Sequence, residues 1–217
     1  MKFQAVIFDF GGVFTTSPVQ HFAVFERENN LPEHFIGDVI KANHHTNAWA
    51  RFERAEMTLE EFDEAFAAES KVAGFEIRGV KLVELLSLHF NHNMIEALAR
   101  VKAAGYKTGC ITNNLPKIDS KAMLAAAEDQ QIVENIHRNF DHIIESSKVG
   151  VRKPEPRIYE MMCEALCVDP DACIFLDDLG INLKPAQTMG MTTIKVPFGD
   201  VTPAIDELSA MLGITLL

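Results

Sequence analysis

No apolar run in the sequence approaches the roughly 20 residues that a membrane-crossing helix needs, so no membrane partner is expected. Basic residues are few: 20 Lys and Arg stand against 31 Asp and Glu, a formal net charge of -11. Affinity for nucleic acid rests on neutralising phosphates with basic side chains, which excludes a polyanionic partner. A small anion stays open, because a local site overrides the global field. Cysteine is scarce too. Cys110, Cys163, Cys167 and Cys173 form no CxxC unit and stand in no secretory context, so they are expected as buried free thiols. Cys163 and Cys167 would share a helix face, yet no histidine nearby completes a metal site. There is no GxGxxG and no phosphate-loop signature, no internal repeat and no low-complexity tract. The opening residues MKFQAVIFDF carry one Lys and no small-residue cleavage pattern, so they read as a strand and not as a signal peptide, which points to a cytoplasmic protein.

What is present is ordinary in bulk, with 47% hydrophobic and 24% charged residues over 217 positions. That length fits one large domain or a core with an inserted subdomain. Residues 3–8, FQAVIF, form a continuous apolar run that ends abruptly at Asp9, with glycines at 11 and 12, the pattern of a buried strand entering a tight loop. From about 18 to 90 the character changes. HFAVFERENN, EEFDEAFAAES and KLVELLSL have helical periodicity, Leu31-Pro32 and Gly79 punctuate them, and no second buried strand is evident, so this stretch reads as a helical insertion. A helix over 94–105 then leads to the strand 106–112, a helical segment around 119–137 to the short apolar run 142–144, and RIYEMMCEALC to the strand 172–178; a last strand covers 192–196. Strands alternating with helices predict an α/β fold with a parallel, doubly wound sheet, and in such sheets ligands bind beyond the carboxyl ends of the strands.

Three strands end in groups able to work together: Asp9, Thr112-Asn113-Asn114 and Asp177-Asp178. Each alone is explained as the N-cap of a following helix. Together they place two carboxylates at one sheet edge, where they repel unless a cation or shared proton lies between them, and hard oxygen ligands with room for water suit Mg²⁺. Lys153 in KVGVRKPEPRIY supplies the opposite charge, near a helix start at Pro154 or Pro156. Lys148 and Arg152 are alternatives that spacing does not exclude.

VIFDFGGVF, ITNN, KVGVRKPEPRIY and IFLDDLGINLKPAQTMGM, in this order and spacing across nearly the whole chain, resemble the four motifs of the haloacid dehalogenase (HAD) superfamily. The likeness is greatest to the N-terminal phosphatase-like domain of soluble epoxide hydrolases and the HAD-type domain of multidomain acyl-CoA dehydrogenases. The resemblance implies a Rossmann-like core at 1–17 and 91–217, a helical cap at 18–90, and hydrolysis of a small phosphorylated substrate with Mg²⁺. It implies that Asp9 is the nucleophile and a metal ligand, that the Gly11 carbonyl and Asp177 also hold the metal, and that Thr112 and Lys153 serve the transferring phosphoryl group. Asn113, Gly12 and Asn114 are expected at the substrate, Asp178 and Asn182 as supports behind the metal, and a homodimer as the candidate assembly.

One position departs from the pattern. Where such phosphatases carry an Asp that protonates the leaving group, this chain has Gly11. General acid–base help is worth about 10²–10⁴-fold in rate, so aryl and acyl phosphates should suffer least and alkyl phosphates most, unless a cap histidine or bound water substitutes. Two other readings follow: a phosphate-binding module that has lost turnover, and a metal-free dehalogenase. The second is disfavoured because that subgroup carries an aromatic residue at the position of Gly11 and because Asp177-Asp178 suits a metal. Asp9-Phe10-Gly11 also spells a kinase metal tripeptide, but no lobe precedes it. His44-His45, His89 and His92 lack the further ligands of a metal site, and Trp49, Phe52, Phe62 and Phe66 read as the cap's own core, some of them facing the cleft.

Overall fold

The computed structural model describes residues 2–86, 89–116 and 127–217, with the side chains of Ala127 and Glu128 left aside. Five parallel strands, β1 (Ala5–Phe8), β2 (Lys107–Thr112), β3 (His142–Glu145), β4 (Cys173–Asp177) and β5 (Thr192–Lys195), form one sheet in the order β3-β2-β1-β4-β5. The first strand at the centre, flanked by later strands on both sides, is the doubly wound arrangement expected. Helices cover both faces, which is why β1 reads as an unbroken apolar run.

Five helices lie between β1 and the return to the sheet: α1 (Pro18–Glu28), α2 (Phe35–Lys41), α3 (Ala48–Glu53), α4 (Leu59–Val72) and α5 (Gly79–Glu84). The rest are α6 (His92–Ala103), α7 (Ala127–Arg138), the single turn α8 (Ser146–Val149), α9 (Pro156–Leu166), α10 (Gly180–Thr188) and α11 (Thr202–Leu212). α7 meets the helix expected around 119–137; residues 119–126 of that expectation lie outside those described. α9 opens at Pro156, not Pro154, consistent with the preference for proline in the first turn. Gly79 stands between α4 and α5, as its punctuating place in the sequence predicts. It begins α5, and a Cβ there would collide with Phe62 and the Asp63 backbone, so its small size serves packing. Among the described residues no helix is long and apolar enough to cross a membrane.

Strand alternation sorts the interior. Val6, Phe8, Ile174 and Leu176 pack with α6 and α11 on one face, while Ala5, Ile7, Cys173 and Phe175 pack with α9 and α10 on the other. A third apolar cluster, around Phe22, Trp49, Phe52, Phe62 and Phe66, belongs to the helices between residues 18 and 84. The chain leaves and rejoins the sheet layer side by side. Thr15 bridges Phe90, Thr16 N–H donates to the His89 carbonyl at 2.9 Å, and Asn91 donates from Nδ2 to the Val13 carbonyl at 2.8 Å.

The cysteine expectation is corrected at one position. Cys110, Cys163 and Cys173 are buried, but Cys167 is exposed. It sits past the end of α9 in the left-handed region at φ 50°, so it shares no helix face with Cys163.

Candidate active site

Register explains the heart of the site. β1 and β4 pair Ile7 with Phe175 and Phe8 with Leu176, so the next residues along each strand are Asp9 and Asp177, and alternation turns both toward the same face. The Lys153 ammonium, 1% exposed, lies between them, 2.7 Å from Asp9 Oδ1 and 2.7 Å from Asp177 Oδ2. Asp178, the next residue, completes a buried trio: one carboxylate oxygen from each of Asp9, Asp177 and Asp178 falls within 4.8 Å of the others.

The electrostatics follow from burial. Desolvation raises the Asp9 pKa well above the usual carboxylate range. Lys153 opposes that shift, and repulsion from Asp177 and Asp178 adds to it. Burial pulls Lys153 down, but the two facing carboxylates more than offset this and leave its pKa above the ordinary lysine value. Burial, then the charge of Asp177, pushes Asp178 up to about 6, against the hydrogen bond it accepts from Ser17.

Each carboxylate is oriented. Asp9 Oδ1 accepts from Phe10 N–H at 2.6 Å. Asp177 Oδ1 accepts from Leu179 N–H at 2.8 Å, and Asn182 Nδ2 reaches both of its oxygens at 3.1 Å. Ser17 Oγ donates to Asp178 Oδ2 at 2.7 Å. Ser17 precedes α1, where a serine ordinarily caps the helix; here its hydroxyl goes to Asp178 while its N–H donates to Gln20 Oε1.

The expected residues divide in two. Asp9, Gly11, Thr112, Asn113, Lys153, Asp178 and Asn182 line a cavity of about 340 Å³ at the carboxyl edge of the sheet; Asp177 is fully buried and reaches it through Lys153. Gly12 and Asn114, expected at the substrate, do other work. Gly12 has φ 79°, and a Cβ there would overlap the Asp178 carboxylate, so this glycine permits the close approach of Asp178. Asn114 turns to Glu145 Oε1 at 3.1 Å and accepts from Ser147 N–H at 3.1 Å, which ties β2 to α8. Asn113 lines the cavity, yet its amide is spent on the Lys153 peptide: Oδ1 accepts from Lys153 N–H at 2.8 Å and Nδ2 donates to the Lys153 carbonyl at 2.9 Å. Lys153 lies three residues before α9, so its ammonium reaches the carboxylates and not that helix start.

The two alternatives to Lys153 are engaged elsewhere. Lys148 pairs with Glu145 at the surface. Arg152 is buried against Glu53 of α3, with Nε 2.6 Å and Nη2 2.5 Å from Glu53 Oε2. Sequence reading missed Ser17 and Glu53. A serine before a proline signals only a helix start, and a lone glutamate in a helix signals only a solvated face. Apolar side chains also line the cavity, Phe22, Ile40 and Trp49 from α1, α2 and α3 together with Leu86, Leu179 and Ile181, as do His21 and His44. His44 and His45 lie ring to ring at 4.0 Å. Trp49 belongs both to the cluster of the intervening helices and to the cavity wall.

Comparison with known proteins matches residues 3–190 to the family described as haloacid dehalogenase-like hydrolase. Acyl-CoA dehydrogenase family member 10 of Mus musculus is 33% identical over 99% of this chain, and Bifunctional epoxide hydrolase 2 of Sus scrofa is 31% identical over 100% of it. The chain spans only 20% and 40% of those relatives. Other relatives, at 26–32% identity, are named phosphatases. The fold is shared with a HAD family enzyme from Bacteroides thetaiotaomicron solved with magnesium and inorganic phosphate: TM-score 0.59, 17% identity, 91% of this chain and 96% of that one.

Proposed function

The chain belongs to the haloacid dehalogenase-like hydrolases, and from that membership we propose a magnesium-dependent phosphatase that hydrolyses a small organic phosphate through an aspartyl-phosphate on Asp9. The observation that carries this reading is the buried Lys153 ammonium held 2.7 Å from both Asp9 and Asp177 at an apolar-walled cavity.

The donor set fits a divalent cation. Three carboxylates face one ammonium, so in their ionised forms they carry two negative charges in excess, and clustered carboxylate oxygens are the hard donors that Mg²⁺ takes. Asp9, Asp177 and the Gly11 carbonyl would hold it, with Asp178 and Asn182 in support. Bound there, the ion supplies charge neutralisation and polarisation of phosphoryl oxygens. The chain's own residues do the rest. Lys153 opposes the burial that favours protonated Asp9 and offsets the charge of an arriving phosphate, so the ionised carboxylate attacks phosphorus without full repulsion. The Thr112 hydroxyl donates to a phosphoryl oxygen, and Asn113 fixes the peptide that carries Lys153. Water then hydrolyses the acyl phosphate, releases inorganic phosphate and restores Asp9. Helices α1 to α5 act as the cap, and their apolar wall receives the organic group.

Gly11 leaves no carboxyl group to protonate the leaving oxygen, so turnover favours phosphates whose leaving group departs as an anion. A Cβ has room at that position, since the nearest atom to it is Pro18 Cδ at 3.9 Å. A screen of phosphate esters and anhydrides with Mg²⁺, run beside Asp9→Asn and Gly11→Asp, tests the reading. Turnover lost in Asp9→Asn, with alkyl phosphates gained in Gly11→Asp, is expected; activity unchanged in Asp9→Asn removes the nucleophile. Gly11 also favours one second reading, a module that binds phosphate without turnover. Metal-dependent phosphate binding with no product across the whole panel would select it.

A further inference from the structure

Glu53 is a buried carboxylate that this chemistry does not use. It ends α3, far from Lys153 in sequence, and its side chain is 7% exposed. A buried carboxylate costs free energy unless its oxygens are satisfied, and these are. Oε2 accepts from Arg152 Nε at 2.6 Å and from Asn113 Nδ2 at 3.4 Å, and the Trp49 side chain also donates to the carboxylate. Desolvation raises the Glu53 pKa, and Arg152 opposes the shift.

What matters is what those partners hold. Asn113 grips the Lys153 peptide from both its N–H and its carbonyl, and Arg152 is the residue covalently before Lys153. Arg152 is itself fixed at its far end, with Nη1 donating to the His44 carbonyl at 3.0 Å. The main chain of Glu53 is anchored separately, its carbonyl accepting from Ser146 Oγ at 2.7 Å. A single carboxylate on α3 therefore touches both neighbours that set the position of the Lys153 backbone, from which the ammonium reaches Asp9 and Asp177.

We infer that Glu53 is a positioning residue, which couples the seating of α3 on the sheet layer to the placement of the Lys153 ammonium between Asp9 and Asp177. The inference rests on the role given to Lys153 above. A second ion pair joins the same two parts of the molecule with no side-chain contact to Lys153, Asn113 or Arg152: Arg54 Nη1 to Glu155 Oε1 at 3.3 Å. It provides the control, because a merely adhesive role for Glu53 would be shared by Arg54.

The experiment compares Glu53→Gln, Glu53→Asp and Arg54→Gln in the full chain. kcat and KM are measured on p-nitrophenyl phosphate with Mg²⁺, and crystal structures are determined of the wild type and Glu53→Gln. A displacement of about 1 Å at a reacting group costs up to about 100-fold. In Glu53→Gln, kcat is expected to fall about 10- to 100-fold with KM little changed and the ammonium to move from its place between the two aspartates. Glu53→Asp recovers part of the loss, and Arg54→Gln keeps the wild-type kcat. An unmoved Lys153 in the Glu53→Gln crystal, or an equal kcat loss in Arg54→Gln, overturns the inference. If the wild type turns over no phosphate, the phosphatase reading fails by itself, and the position of Lys153 in the two crystals still decides the role of Glu53. Should Glu53→Gln not fold, Arg152→Gln, which withdraws the main partner of the same carboxylate, replaces it under the same outcomes.

Discussion

Lys153→Met replaces the ammonium at the centre of the site with an apolar chain of similar length. The ammonium is 1% exposed and lies 2.7 Å from each of two carboxylates, with a third nearby. Removing one partner of a buried ion pair costs about 3–5 kcal/mol, because the charge left behind loses its compensation. A chain of this size loses about 2–4 °C of Tm per kcal/mol, so Tm in EDTA should fall by roughly 6–20 °C. The lysine pKa lies above its ordinary value, so its stabilising contribution is fully present at every pH below about 10. The carboxylates can relieve the defect by taking up protons, and the deficit is therefore larger at about pH 8 than at about pH 5. Magnesium offers the other relief. A ligand at 100 times its Kd stabilises by about 2.7 kcal/mol, and a site without Lys153 attracts the cation more strongly, so the Tm gap between wild type and variant narrows on going from EDTA to MgCl2. Activity does not return, since the phosphoryl charge has lost its ammonium; a loss of about 10²–10³-fold in kcat is expected. Differential scanning calorimetry at two pH values, with and without metal, reads the first part, and phosphate release reads the second. A variant within about 2 °C of wild type in EDTA at pH 8 would refute the claim that Lys153 compensates this cluster.

Three further outcomes follow from the same geometry. The Asp178 carboxyl, pushed up to about 6 against its ordinary 3.8, keeps a proton that the unfolded chain has already released, so metal-free stability falls as pH rises from about 4 to about 6; the Tm gain on adding MgCl2 should accordingly be greater at about pH 7.5 than at about pH 5. Gly12→Ala places a Cβ at φ 79° and into the Asp178 carboxylate, which should cost at least about 2 kcal/mol, or roughly 4–8 °C in a thermal melt, together with Mg²⁺ affinity. Ser17→Ala withdraws the 2.7 Å donor from Asp178; a hydrogen bond to a charged group contributes about 1.5–3 kcal/mol, so titration calorimetry should give an Mg²⁺ Kd about tenfold weaker or more, in a chain whose α1 still forms.

The limits of the sequence reading follow from how far apart interacting residues lie along the chain. Asp9 and Asp177 were legible because each ends an unbroken apolar run, and a parallel sheet buried on both faces makes such runs converge on one edge. The resemblance to a known family sharpened Lys153 from three basic candidates, a choice that spacing had left open and that burial now explains: Lys148 pairs at the surface and Arg152 turns to Glu53. Ser17 and Asp178 are 161 residues apart, and Glu53 and Arg152 are 99 apart. Nothing in the local pattern of either pair distinguishes a helix cap or a solvated charge from a buried partner. α2 and α3 were also unread, because 7 and 6 residues span two turns or fewer and give periodicity little to repeat. Yet α3 carries both Trp49 and Glu53 to the cavity. This short segment thus supplies contacts that join the intervening helices to the sheet edge, beside the Ser17–Asp178 hydrogen bond. A helix that contributes two side chains to a site needs no long apolar face of its own, since α4 and α5 provide the cluster on which it rests.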